Sequence, residues 1–171
     1  MARYLWFKGA LIALLAANAF WYATTDTFNK ALDSAAWLTL LILFELETSF
    51  GERLRARFAR STVHGVRLFA AGAVVAAAIR YVYDDETLDA INSWVWIGVV
   101  ILLEIEVRYA AAVTRHRAAF IAAASALYST LAIMVIAWAR RGEWFDAYDA
   151  LLWLIAFATL ELNLLRIGVQ R

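Results

Sequence analysis

The chain has 171 residues, 64% of them hydrophobic, and a mean hydropathy of +0.66, whereas soluble domains are usually about 45 to 50% apolar. Formal net charge is only +1, so no basic excess points to nucleic acid, and basic patches interleaved with aromatics are missing as well. Cysteine and proline are both absent, which excludes disulfides, thiolate nucleophiles, iron–sulfur clusters and thiolate zinc sites, and argues for helices without proline breaks.

Six apolar stretches follow in order. Tyr4 to Thr25 contains Lys8, Ala36 to Gly51 carries Glu45 and Glu47, and Leu68 to Tyr83 contains Arg80. Trp94 to Val107 carries Glu104 and Glu106, Ala118 to Ala139 is uncharged over 22 residues, and Ala147 to Leu165 carries Glu161 and Asn163. A bilayer-spanning helix needs about 20 mostly apolar residues. The first, fifth and sixth stretches meet that length by themselves; the second and fourth do so only if their glutamates lie within the membrane. A soluble six-helix bundle is the competing fold, and both the composition and the uncharged fifth stretch fit it poorly.

The charges alternate between linkers. With the amino terminus in the cytoplasm and each stretch crossing once, the inner segments receive 12 of the 16 Lys and Arg and a net +11, against −5 outside, the span glutamates left aside. This is the positive-inside pattern for six spans with both termini cytoplasmic, as in a bacterial-type inner membrane. Tryptophans fall near the span ends, and Trp37, Trp96 and Trp153 are expected to anchor at the membrane interface. Arg3, Lys8 and the triplet Ala17-Asn18-Ala19 also resemble a signal peptide with its cleavage site. The repeat described next, however, uses the first stretch as half of a hairpin.

Shifted by 59 residues, Lys30 to Glu47 overlies Asp89 to Glu106 with seven identities in 18 positions, including Trp37 with Trp96, Glu45 with Glu104 and Glu47 with Glu106. A further shift of 57 brings Asp146 to Asn163 into the same frame, aligning Trp153 and Glu161. The expected fold is therefore an all-α integral membrane protein. Six transmembrane helices form three tandem helical hairpins with approximate threefold internal pseudo-symmetry. The whole chain, 1–171, reads as one transmembrane domain, with repeats at about 4–51, 62–108 and 117–166. Asp33 or Ser34, Asn92 or Ser93, and Asp149 are the expected N-caps of the second helix in each hairpin.

Eleven residues from Ser34 to Glu45 amount to about 16 Å of helix. The expected depth of Glu45, Glu104 and Glu161 thus lies between the midplane and the inner third of a hydrocarbon core about 30 Å thick. A charged group at that depth is costly unless paired, hydrated or protonated, and marks a candidate site. The three glutamates are the expected central polar or ion-binding site. Glu47, Glu106 and Asn163, about 200° around the helix from them, are the supporting polar positions, together with Arg108 and Arg166.

Two functions follow. One is a cation or proton channel or transporter built on the glutamate site, which acidic outer loops would feed. The other is a non-catalytic accessory or scaffold subunit in which the glutamates are polar contacts between helices. His64 and His116 stand at span starts, too far toward the edge for a haem at mid-membrane, and no GxSxG, HExxH or P-loop pattern occurs, so neither an enzyme nor a cofactor is expected. Expected partners are the lipid bilayer, anionic headgroups at the Arg-rich inner linkers, and a membrane-protein partner or second copy of the chain, with no nucleic acid.

Overall fold

A computed structural model describes the backbone of residues 2–50 and 57–169 and the side chains of 6–46, 61–106 and 108–159. The described residues form seven helices and no strand: α1 (Ala2–Thr25), α2 (Phe28–Phe50), α3 (Arg57–Tyr83), α4 (Thr87–Arg108), α5 (Ala110–Arg115), α6 (Arg117–Arg141) and α7 (Trp144–Val169). Four of them are long and apolar enough to cross a bilayer, at Trp6–Thr25, Ser61–Tyr83, Thr87–Glu106 and Arg117–Arg141. The chain is thus of the all-helical membrane class. In the described part of α2, Lys30, Asp33 and Glu45 interrupt the apolar run, and the described side chains of α7, 144–159, are too few for a span.

Each of the four carries large apolar side chains on its outside. In α6, Leu131, Met134 and Trp138 are buried while Ile121, Ile133 and Ile136 are exposed. A helix apolar on all sides belongs in a protein interior or in lipid.

The chain divides into two compact units, 1–86 and 87–171. In the first, α2 packs against both α1 and α3. Leu11, Leu15, Asn18 and Tyr22 of α1 recur every three or four residues and form its buried stripe. On α3 the stripe is Ala70, Val74, Ala77, Ala78 and Tyr81, mostly small residues that let backbones approach. In the second unit α6 packs against α4 and α7, and Leu88, Met134, Trp138, Ala147 and Ala150 form a core drawn from all three helices. The rings of Trp96 on α4 and Phe157 on α7 meet with centroids 4.5 Å apart.

The division falls in the turn between α3 and α4, so the middle hairpin expected from the sequence is shared between the units: α3 packs with α2, and α4 with α6. Two turns end their helices alike. Gly142, with φ of 81°, follows α6; its N–H donates to the Ala139 carbonyl, and that of Glu143 donates to the Trp138 carbonyl. Asp85, with φ of 58°, follows α3, and the Glu86 N–H donates to the Tyr81 carbonyl. Both place a left-handed residue just past the helix, which satisfies its last carbonyls.

The expected N-caps are corrected. α2, α4 and α7 begin at Phe28, Thr87 and Trp144, five residues before Asp33, Asn92 and Asp149. The short turns lead directly into helix, and at α2 it is the Thr27 hydroxyl that accepts the Lys30 N–H, at 3.4 Å. The three starts are separated by 59 and 57 residues, the same two shifts that superpose the sequence.

Candidate functional site

Glu45, Glu104 and Glu161 each stand 17 residues into their helix, about 26 Å along its axis. That is some 10 Å beyond the depth reckoned from Ser34, and it places the three positions toward the far ends of their helices.

Glu45 meets a basic residue. Its Oε2 lies 2.5 Å from Lys8 Nζ, an ion pair between α2 and α1 with both side chains about four-fifths enclosed. Hairpin geometry explains the encounter: Lys8 lies 18 residues before Asp26 and Glu45 lies 18 after Thr27, so antiparallel packing about that turn sets them side by side. Desolvation penalises each charge separately, and their mutual attraction offsets that penalty. Lys8 was legible as a charge within the first stretch. Its equal distance from the turn was the signal that names its partner.

Glu104 meets a basic residue in a different way. The Nε of Arg108, one turn further along α4, donates to its carboxylate, and both side chains are more than half exposed. Glu106 is exposed too. The side chains of Glu47, Glu161, Asn163 and Arg166 lie outside the described residues. Glu45 belongs to the first unit and Glu104 to the second, and each is joined there to a basic side chain of its own unit. Among the described residues, no group of three or more His, Asp or Glu is placed to hold a metal ion.

Trp37, Trp96 and Trp153, expected as interface anchors, are enclosed by protein at 8, 5 and 9% exposure. Each stands nine residues into its helix and serves helix packing. The outward-facing tryptophans are Trp6, Trp21 and Trp144, close to helix ends, and Trp94, seven residues into α4.

A second polar group sits at the other end of the first unit. The side-chain amide of buried Asn29 donates to the Ala77 carbonyl at 3.2 Å, and the Tyr81 hydroxyl lies 3.5 Å from Asp33. Lys30 lies 3.9 Å from Asp26 and over the Tyr22 ring. These contacts tie α2 to α1 and α3. Polar residues at a helix start look solvated in a sequence, which is why this group went unread. No protein-family model matches the chain, and neither a curated protein nor a solved structure resembles it significantly.

Proposed function

We propose that the chain is a membrane-embedded accessory or scaffold protein whose recurring glutamates are charge-paired helix contacts. The Lys8–Glu45 pair carries this reading, because a carboxylate neutralised by a neighbouring helix is a poor cation ligand and a good interhelical tie. A basic residue recurs at the position of Lys8 in the second repeat, where Arg67 stands. In this reading all six long helices cross the membrane, α2 and α7 included, in three pseudo-symmetric hairpins. Both termini lie on the basic, cytoplasmic side of a bacterial-type inner membrane. A membrane-protein partner or a second copy would take up the exposed apolar helix faces.

Cation or proton movement through a central glutamate site is the second reading, and one observation favours it. Glu45, Glu104 and Glu161 stand at one register in three helices, and intramembrane carboxylates at one level can build cation selectivity.

Flux measurements separate the two. Purified wild type and the Glu45→Gln, Glu104→Gln, Glu161→Gln triple variant are reconstituted in liposomes, and proton and potassium flux are followed by dye. The scaffold reading expects wild-type flux no greater than that of empty liposomes, with a lower melting temperature for the variant. Wild-type flux that the variant loses overturns it in favour of transport.

A further inference from the structure

The last turns of α4 carry an open groove lined by Val100, Ile101, Glu104, Ile105 and Tyr109. Its four apolar members are 39 to 62% exposed, so no described part of the chain fills it. The acid in its wall is not a bare charge, since Arg108 covers Glu104 through Nε. That bond leaves both terminal NH2 groups of Arg108 without a bond among the described residues. Beyond the groove the backbone turns at Tyr109, forms α5 with no buried residue, turns again at His116 and enters α6 at Arg117. Because α5 touches both α4 and α6, the exposed side chains of Arg115, His116 and Arg117 belong to the same end of the unit as the groove. None of the three side chains makes a hydrogen bond or ion pair among the described residues.

We propose that this groove holds an acyl chain of an anionic phospholipid, with the phosphate bound by Arg108 and attracted by Arg115 and Arg117. The apolar wall suits a lipid tail, and guanidinium groups bind phosphate through paired N–H donors. Glu106 does not oppose the phosphate, because helical geometry sets it on the far side of α4 from the groove. A second copy packing face to face would bring the same basic cluster against itself, so charge complementarity favours the lipid. The site is independent of whether the glutamates conduct.

Photocrosslinking tests it on the full chain. p-Benzoylphenylalanine replaces Ile101 in the groove or, as a control, Ile133 on the exposed face of α6. The protein is reconstituted in phosphatidylcholine vesicles containing a minority of phosphatidylglycerol, and adducts are identified by mass spectrometry. At Ile101 phosphatidylglycerol is expected to be enriched about fivefold or more over its bulk share, the preference roughly one arginine confers near an anionic headgroup. At Ile133 the bulk ratio is expected. The Arg108→Gln, Arg115→Gln, Arg117→Gln variant is expected to lose the enrichment, and the corresponding triple Lys variant to keep part of it. Adducts at Ile101 in the bulk ratio mean passing annular lipid and overturn the proposal. So do adducts to a second chain or to another segment of this one.

Discussion

Lys8 and Glu45 occupy mirror positions about the α1–α2 turn and form an ion pair 2.5 Å long across the two helices. Removing one partner leaves the other charged and enclosed. Lys8→Met or Glu45→Leu alone is expected to cost about 2 kcal/mol, and the double variant to recover most of that loss. A double-mutant cycle on reversible unfolding in detergent measures the coupling; additive effects would show the pair to be incidental.

Gly98 lets α4 approach α6. A Cβ at that position would lie 3.2 Å from Leu127 Cδ2, so a bulkier residue must displace the Leu127 side chain or push the helices apart. Gly98→Val is expected to lower stability by about 1 to 3 kcal/mol, with partial rescue by Leu127→Ala. The same unfolding assay reads both, and an unchanged melting temperature for Gly98→Val would mean that the Leu127 side chain moves aside without cost.

The two left-handed turn residues should respond in opposite directions. Gly142→Ala forces a side chain into a positive-φ conformation and is expected to destabilise by about 1 kcal/mol, whereas Asp85→Gly relieves one and is expected to be neutral or stabilising by up to about 1 kcal/mol. A lower melting temperature for Gly142→Ala, and an unchanged or higher one for Asp85→Gly, is the expected outcome. A stabilising Gly142→Ala would contradict the geometry.

Because the chain has no cysteine, single cysteines report topology without background. Thr27→Cys, Glu86→Cys and Glu143→Cys are expected to react with an impermeant maleimide from one side of the membrane, and Ala111→Cys and Gln170→Cys from the other. Should the reagent reach Thr27→Cys and Glu86→Cys from opposite sides, one of α2 and α3 does not cross, and six spans cannot stand.

Trp96 and Phe157 join α4 to α7. Trp96→Ala is expected to cost about 3 kcal/mol through the cavity it leaves, more than Trp94→Ala on the exposed side of the same helix. Tryptophan fluorescence during unfolding gives both values, and similar costs would place Trp96 outside the packed core.

Helices were legible because apolar length and the recurring Trp and Glu need no knowledge of packing. The spacing of helix starts at Phe28, Thr87 and Trp144 matches the shifts read from the sequence. Helix beginnings were misplaced because Asp33, Asn92 and Asp149 look like caps, whereas short turns after Thr25, Tyr83 and Arg141 start the next helix earlier. That error displaced the glutamates by more than a helical turn and hid Lys8 as the partner of Glu45. The direction in which Trp37, Trp96 and Trp153 face was not legible for a related reason: the sequence marks a tryptophan's place along a helix, but only packing shows which way it faces.

Thirty-seven residues separate Lys8 from Glu45 in the chain, and synthesis at about 5 to 20 residues per second sets an interval of about 2 to 7 s between them. For those seconds the nascent α1 carries an ammonium group with no counter-charge, which disfavours its release into lipid alone. In the six-span reading the pair predicts an order of biogenesis: the first helix is expected to wait at the translocon for the second, so that Lys8 and Glu45 enter the membrane already paired.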